Sequence, residues 1–308
     1  MEIVAVATYA MDVLMKVDRL PAEDGFAVVT NNTYLPGGSG TNVLVQAARL
    51  GAKCGFLGLL GDDSLGDDIL DSLHSEGINT DAVRRKENGI SLHTDIVVDA
   101  AGKKFILLNM GDSFLAYDAS AADLDYIRSA KVYYTDLLPV RPAVTGLRAA
   151  KEAGLATAFN MQVELAAMEG FGASRDDILN SLKWVDLFAP CRAGLYALCG
   201  SDDPQRCLEF LRPYFKGTLV LTLGSAGSLA FDEQNHRFEQ PIFKVDTIDT
   251  TGAGDAYMGA MLWARLLKHK SLGEAMRFAT ACSAITCQSL GARSGPMLAQ
   301  TQQFLASV

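Results

Sequence analysis

The sequence has no excess of basic residues, and this absence excludes two classes of partner. Its 27 lysines and arginines are outnumbered by 36 aspartates and glutamates, which gives a net charge of −9. A surface for nucleic acid needs a basic patch, and an anionic membrane surface attracts basic segments. We therefore predict a protein that binds neither nucleic acid nor membranes.

Membrane-spanning and secretion signals are also missing. No uninterrupted apolar run reaches the roughly 18 residues that a transmembrane helix needs. The opening residues, Met1–Val6, lack the basic start of a signal peptide and are typical of a first β-strand. The six cysteines include no Cys-x-x-Cys pair, so free thiols rather than a zinc site are expected. A reducing cytoplasm is the simplest location.

Two common nucleotide-binding motifs are absent. The chain contains no Gly-x4-Gly-Lys-[Ser/Thr] sequence and no Gly-x-Gly-x-x-Gly sequence after a strand. The first would cradle phosphates in a P-loop, and the second would hold a dinucleotide at a helix start. Both the P-loop and the NAD-dependent oxidoreductase interpretations are therefore disfavoured.

An alternation of strand and helix patterns fills the chain from about residue 120. With 308 residues, of which 49% are apolar, the chain can bury one large α/β core or two of ordinary size. Over the whole chain, apolar runs predict strands at Glu2–Thr8, Lys53–Gly61, Lys131–Thr135, Leu155–Phe159, Val185–Ala189 and Thr218–Leu223. Helical runs predict helices at Ser64–Glu76, Ala121–Arg128, Arg141–Ala153, Ser174–Leu182, Pro204–Phe215, Gly273–Gly291 and Leu298–Leu305. Ser228–Phe231 and His236–Val245 suggest a terminal antiparallel pair. This order predicts a mostly parallel sheet with helices on both faces.

A different pattern occupies Gly89 to Met110. Apolar and polar residues alternate there, and Ala100-Ala101-Gly102 predicts a hairpin turn. A hairpin with one exposed face does not belong in a doubly wound core. Together with the extended runs Val13–Val17 and Phe26–Leu35, it predicts a small antiparallel sheet over the site.

The stretch Asp249-Thr250-Thr251-Gly252-Ala253-Gly254-Asp255 carries the strongest chemical signal. A strand-like run, Pro241–Val245, leads into it and a helical run, Ala256–Leu267, follows it. The first amides of a helix attract anions, and glycine lets a phosphate approach them closely. The carboxylate of Asp255 would repel that phosphate, so it does not fit a site that only binds phosphate. It fits a base that takes a proton from a hydroxyl attacking the phosphate. The alternative is a capped helix start, with Thr251 as the N-cap.

Three further segments lie where strands end, which is where open α/β sheets bind ligands. Asp12 follows the first strand, although a surface turn would place an acid there equally well. Pro36 to Asn42 is a Gly-Gly-x-Gly turn that feeds a helix, and its alternative is a loop with Thr41 or Ser39 as the cap. Thr222–Gly227 closes a central strand in a way that suits a nucleotide or an ordinary tight turn.

The two glycine motifs, Gly37–Asn42 and Asp249–Asp255, together resemble those of the ribokinase (PfkB-type) carbohydrate kinases. The resemblance implies one ribokinase-like α/β domain over residues 1–308, with a lid formed by about 13–36 and 89–111 that often serves as a dimer interface. It also implies a kinase that uses ATP and Mg²⁺, and in some members a monovalent cation such as K⁺. The implied residues are a general base at Asp255, an anion hole at Gly252, Ala253 and Gly254, sugar ligands at Asp12, Gly37, Gly38 and Asn42, nucleotide contacts at Thr222, Gly224, Ser225 and Gly227, and a cation site at Asp249 and Thr251 with the Ser289–Gly295 loop.

The chain departs from the family pattern at three places. Cys191-Arg192-Ala193-Gly194 stands where the family usually has Asn-x-x-Glu, which is linked to magnesium and phosphate. Ala10 replaces a polar residue, and Gly111-Asp112-Ser113 replaces Gly-Ala-Asn. The leading hypothesis is a kinase of a small sugar with ATP as the donor. A nucleoside kinase of the same family and a non-catalytic sugar or nucleotide sensor remain open.

Overall fold

The computed structural model describes all residues, 1–308, and places fourteen strands in three sheets. In chain order the strands are β1 (Ile3–Val6), β2 (Ala10–Val17), β3 (Val29–Gly37), β4 (Cys54–Leu57), β5 (Leu59–Gly61), β6 (Arg84–Lys86), β7 (His93–Val98), β8 (Lys104–Asn109), β9 (Val132–Thr135), β10 (Ala156–Phe159), β11 (Leu187–Phe188), β12 (Thr218–Thr222), β13 (Ser228–Phe231) and β14 (Arg237–Gln240).

The main sheet has the order β14-β13-β12-β11-β10-β9-β1-β4. The strands from β12 to β4 are parallel, and β13 and β14 add the antiparallel pair at one edge. β1, β4 and β9 are buried at every residue, because helices cover both faces. This burial explains why the sequence shows them as unbroken apolar runs.

Eleven α-helices surround the sheets, and none is long and apolar enough to cross a membrane. They are α1 (Ser39–Arg49), α2 (Ser64–Ser75), α3 (Ala121–Arg128), α4 (Val140–Glu152), α5 (Leu165–Gly170), α6 (Arg175–Ser181), α7 (Arg192–Cys199), α8 (Pro204–Leu211), α9 (Ala253–Met261), α10 (Leu272–Thr286) and α11 (Leu298–Ala306). The chain after α9 continues as a π-helical segment, Leu262–Leu267.

Helices α5 and α7 were not predicted from the sequence. Both are short, at six and eight residues, so they show little periodicity. α7 begins inside the segment that departs from the family pattern. The Cys191 side chain is its N-cap and accepts a hydrogen bond from the Gly194 amide at 3.3 Å.

A second sheet has four strands in the order β3-β2-β7-β8, and we use the name lid for it, after the predicted segment. The β2–β3 and β7–β8 pairs are antiparallel as predicted, and the central β2–β7 pair is parallel. Residues 38–92 return to the main domain between β3 and β7. Because β2 and β7 both leave that domain outward, they run in the same direction.

The prediction of a strand-like run at Pro241–Val245 is wrong. The strand there is β14, which ends at Gln240, opposite the first residue of β13. Pro241 has no amide hydrogen to continue the ladder. The chain therefore leaves the sheet edge and reaches α9 through irregular backbone.

Candidate active site

Asp255 lies in the first turn of α9. Gly252 is the N-cap residue with φ 78° and makes no side-chain cap bond, so the alternative of a helix start capped by Thr251 does not hold. A side chain on Gly252 would strike the carbonyl oxygen of Ala292. The Ala253 amide donates to the Thr250 carbonyl at 3.2 Å, whereas the amides of Gly254 and Asp255 donate to no carbonyl. These amides are free to bind an anion.

The carboxylate of Asp255 accepts a hydrogen bond from Asn42. The Asn42 Nδ2 to Asp255 Oδ2 distance is 3.0 Å, and Asn42 is buried in the first turn of α1. Burial raises the pKa of Asp255 to about 7, and the negative charge of Asp136 adds to the rise. The hydrogen bond from Asn42 and the positive charge of Arg293 oppose it. A carboxylate with this pKa can both hold and release a proton near neutral pH.

Asp12 and the two glycines before α1 form a second part of the same site. Asp12 lies on β2 and accepts a hydrogen bond from the Thr94 hydroxyl on β7. A Cβ on Gly37 would lie 2.6 Å from Asp12 Oδ2, so only glycine leaves this carboxylate free. Gly38, with φ 80°, is the N-cap of α1 and packs directly on the backbone of Tyr9.

Arg293 links these groups and was not found from the sequence. Its Nε donates to Asn42 Oδ1 at 2.8 Å, and its Nη2 donates to the Gly37 carbonyl at 3.0 Å and to Thr41 Oγ1 at 3.1 Å. Its Nη1 donates to the Ser72 hydroxyl. Burial lowers the pKa of Arg293 to about 10. By holding Asn42 Oδ1, the guanidinium directs the Asn42 amide group towards Asp255.

Asp136 is a second acid that the sequence did not single out. It is buried at the end of β9, and its Oδ2 accepts hydrogen bonds from the amide and the hydroxyl of Thr8. The Thr8 hydroxyl in turn accepts from the Gly40 amide at 3.1 Å. Burial raises the pKa of Asp136 to about 6. The chain of bonds joins β1, β9 and the start of α1.

One cavity of about 540 Å³ lies between the lid and the main domain. It brings together most of the residues singled out from the sequence: Asp12, Gly37, Gly38, Asn42, Thr251, Gly252 and Asp255. A smaller cavity of about 150 Å³ has Asp255 and Gly254 in its lining and also Thr222 at the end of β12. Asp255 therefore borders both spaces.

The other predicted nucleotide residues lie outside these two cavities. Gly224 and Ser225 are exposed in the turn after β12. Gly227 is buried with φ 92°, and a Cβ there would strike the Gln240 carbonyl oxygen. Glycine is therefore required at this position for the close approach of two backbone segments.

The two segments implied for a monovalent cation meet in the structure. Asp249 Oδ1 accepts from the Thr251 hydroxyl at 2.6 Å and from the Thr251 amide at 2.9 Å, and its Oδ2 accepts from the Gly291 amide at 3.0 Å. These bonds lower the pKa of Asp249. Arg49 fixes the same loop, since its Nη1 donates to the carbonyls of Arg293 and Gly295 at 2.6 and 2.8 Å.

Solved structures share this architecture. The ribokinase of Arabidopsis thaliana complexed with ribose and ATP superposes with a TM-score of 0.85 at 24% identity, covering 99% of this chain and 98% of that one. The ribokinase of Thermotoga maritima superposes with a TM-score of 0.83 at 25% identity, covering 99% of each chain. The ribokinase-like fold predicted from the sequence is thereby confirmed.

Related sequences give the same assignment. Fructokinase-2 of Oryza sativa subsp. japonica is 28% identical over 95% of this chain and 92% of its own length. The fructokinase of Solanum tuberosum is 30% identical over 90% of this chain and 89% of its own length. The sequence model of the pfkB family carbohydrate kinases matches residues 1–299.

The fold and these relatives define the class as a phosphotransferase with an alcohol group as the acceptor. Within that class, the chain belongs to the pfkB family of carbohydrate kinases.

Proposed function

We propose that this protein is an ATP-dependent sugar kinase in which Asp255 is the general base. The observation that carries the proposal is the position of Asp255, which borders both cavities and stands beside two unpaired amides. The sugar occupies the larger cavity, and the phosphate end of ATP occupies the smaller one. Asp255 takes the proton of the attacking hydroxyl as the γ-phosphoryl group is transferred in line.

The free amides at the start of α9 stabilise the charge on the transferred phosphoryl group. Backbone donors that are already oriented need no rearrangement during the reaction, which is why such sites are effective. Gly254 and Asp255 supply these donors, and Gly252 supplies the backbone turn that exposes them. Asp12 and Asn42 bind sugar hydroxyls, while the lid excludes water that would otherwise hydrolyse ATP.

ATP brings Mg²⁺ with it, and the residues of the smaller cavity fit a magnesium held mainly by phosphates and water. Mg²⁺ keeps several waters and takes few protein ligands. Asn160 Oδ1 accepts from Gln162 Nε2 at 2.9 Å, which leaves Gln162 Oε1 as a neutral oxygen at this cavity. The metal supplies charge neutralisation of the phosphates. Cys191, beside it, offers no hard oxygen ligand.

A monovalent cation such as K⁺ is proposed near Asp249 and Thr251, where the segment before α9 is joined to the Ser289–Gly295 loop by the bond from the Gly291 amide to Asp249. Activity in K⁺ should then exceed activity in an equal concentration of a tetraalkylammonium salt. Equal rates in the two salts would remove this part of the proposal.

We also propose a homodimer formed through the lid. The two outer strands of the lid, β3 and β8, expose large apolar side chains, among them Tyr34, Leu35 and Leu107 at 52%, 43% and 56% exposure. Exposed apolar edge strands of this kind are usually covered by a partner. Light scattering that gives the mass of a single chain would contradict the dimer.

Replacing Asp255 with asparagine tests the proposed reaction. The Asp255→Asn variant should lose about 10²- to 10⁴-fold in kcat, which is the typical contribution of a positioned base. Its affinity for ATP should not fall, because the substitution removes only a negative charge beside the phosphates. The matched control is Asp176→Asn, which removes an exposed acid from the first turn of α6, away from both cavities.

For all three proteins kcat is measured by a coupled assay of ADP release, with fructose and ribose as the first substrates. A wild-type protein that binds sugar and ATP but releases no ADP would instead support the sensor. A variant with undiminished turnover would remove Asp255 from the mechanism.

A further inference from the structure

We propose that the substrate is a sugar or polyol carrying a flat apolar substituent, such as a nucleobase or an aryl aglycone. This inference rests on the proposed kinase function and concerns its larger cavity. It follows from the way in which polar and apolar side chains divide that cavity between them.

The polar groups form one connected cluster. Thr94 donates to Asp12, Gly37 lies against Asp12, Arg293 binds both the Gly37 carbonyl and Asn42, and Asn42 donates to Asp255. Hydroxyl groups of a sugar can exchange hydrogen bonds with the carboxylates and the amide of this cluster. One end of the substrate is therefore polar and faces the base.

The polar lining ends one strand further along the lid. Asp12 on β2 is opposite Thr94 on β7, and Thr94 is opposite Leu108 on β8. Ile106 lies two residues from Leu108 and therefore on the same face of β8. Both side chains are about half exposed, at 53% and 45%, although they face the cavity. Nothing in the protein itself covers this part of the lid.

The wall opposite the lid is apolar as well. It is formed by side chains from the main domain: Leu138, Val163, Phe171 and Phe114. Two nearby groups with polar atoms do not change its character. The Tyr9 hydroxyl donates to the Leu59 carbonyl at 2.7 Å, and the Thr8 hydroxyl is bonded to Asp136. A free sugar would meet few hydrogen-bonding partners here and would lose hydration at its hydroxyls.

The size of the cavity supports the same conclusion. Its 540 Å³ falls within the range of roughly 300–1,000 Å³ that is typical of sites for drug-sized ligands. A free pentose or hexose would leave much of this volume, including the apolar wall, to water. A ring of aromatic size attached to the sugar would cover Leu108 and Phe171 and remove them from solvent.

The test compares matched pairs of substrates. D-ribose is compared with uridine and adenosine, and D-glucose is compared with phenyl β-D-glucoside, by coupled ADP release and mass spectrometry of the product. We expect kcat/KM of a substituted member to exceed that of its free sugar by about 10- to 100-fold, because burying even part of a ring discriminates by such factors. The nucleoside and glucoside arms distinguish the two sources of the apolar ring.

A variant in the apolar wall makes the test specific. Phe171→Ser should reduce the preference for the substituted member, measured as the ratio of the two kcat/KM values within each pair, at least fivefold. The control is Phe210→Ser, which truncates another half-buried phenylalanine that packs on Arg175 and Tyr214 outside the cavity. A free sugar that is used as well as its substituted partner, with no effect of Phe171→Ser, overturns the inference.

Binding measurements separate this inference from the kinase proposal. If no compound is phosphorylated, calorimetry on the wild-type protein still compares the affinities within each pair. Tighter binding of the substituted member, lost in Phe171→Ser, supports the substrate class although the reaction proposal fails. Equal affinities within both pairs overturn the substrate class, whether or not the protein is a kinase.

Discussion

Replacing Arg293 with methionine should slow phosphoryl transfer and shift its pH dependence. The change keeps most of the side-chain volume and removes the donors to Asn42 Oδ1, the Gly37 carbonyl, Thr41 and Ser72. Without Arg293 the Asn42 amide can rotate and turn its oxygen towards Asp255. We expect kcat to fall by about 10- to 100-fold, as misplacement of a catalytic group commonly does.

The magnitude of the effect on stability follows from the acceptors left without a donor. Each buried acceptor without a partner costs about 1–3 kcal/mol, and hydroxyls and water recover part of that cost. Loss of a buried positive charge returns some of its desolvation energy. We expect a net loss of about 2–4 kcal/mol in the free energy of unfolding, or roughly 3–6 °C in Tm for a chain of this length.

The pH dependence gives a second, independent readout. Asp255 acts as a base only when deprotonated, so kcat/KM falls on the acid side of its pKa, which is about 7. The positive charge of Arg293 lowers that pKa, so its removal must move the acid limb to higher pH. Arg293→Lys retains the charge without the planar fork. The limb should therefore move in the methionine variant alone, whereas kcat should fall in both.

The assay is coupled ADP release from pH 5.5 to 9, with Tm measured on the same samples. The control is Arg265→Met, a partly buried arginine that donates to the Lys270 carbonyl at 3.2 Å and lies outside both cavities. Arg265→Met should leave kcat and the acid limb unchanged. A methionine variant at 293 with wild-type kcat and an unmoved limb would refute the positioning role.

Three further predictions concern the same site. In the wild-type protein, kcat/KM should rise about tenfold per pH unit below 7 and level off above it, and a flat profile would exclude Asp255 as the titrating base. Gly252→Ala should reduce both kcat and Tm. A backbone φ of 78° costs a non-glycine residue about 1–2 kcal/mol, and the new methyl group meets the Ala292 carbonyl. An unchanged kcat would contradict the proposed anion-hole geometry. Gly37→Ala places a methyl group against Asp12 and should raise KM for the sugar at least tenfold, while KM for ATP stays unchanged. An equal rise in both KM values would refute the assignment of Asp12 to the sugar.

The sequence predicts the main sheet well because its parallel strands are buried on both faces. Runs such as Ile3–Val6 and Val132–Thr135 stand out without any knowledge of their neighbours. The parallel pairing of β2 with β7 could not be predicted, because it depends on the route of the chain between them. The strand expected at Pro241–Val245 fails for a similar reason, since the end of its partner strand decides where the ladder stops.

The residues of the candidate site also fall into two groups, those that a local sequence pattern indicates and those that only the fold reveals. Asp255, Asn42 and Asp12 could be proposed from the sequence because each lies in a local pattern that predicts a strand end or a helix start. Arg293 has no such pattern, and its acceptors on β3 and α1 lie about 250 residues earlier in the chain. Asp136 follows the buried strand β9 directly, but only the fold shows that Thr8 satisfies its carboxylate.

The loop from Gly291 to Gly295 has a consequence for how the enzyme can be controlled. Its members touch Asp249, the Gly252 turn and Asn42, and Arg49 pins its backbone. The binding of an ion, of a sugar and of a phosphate would thus depend on the conformation of the same short loop. A ligand that orders this loop when it binds also raises the affinity of the loop for the other two ligands. Thermodynamic linkage makes this effect reciprocal.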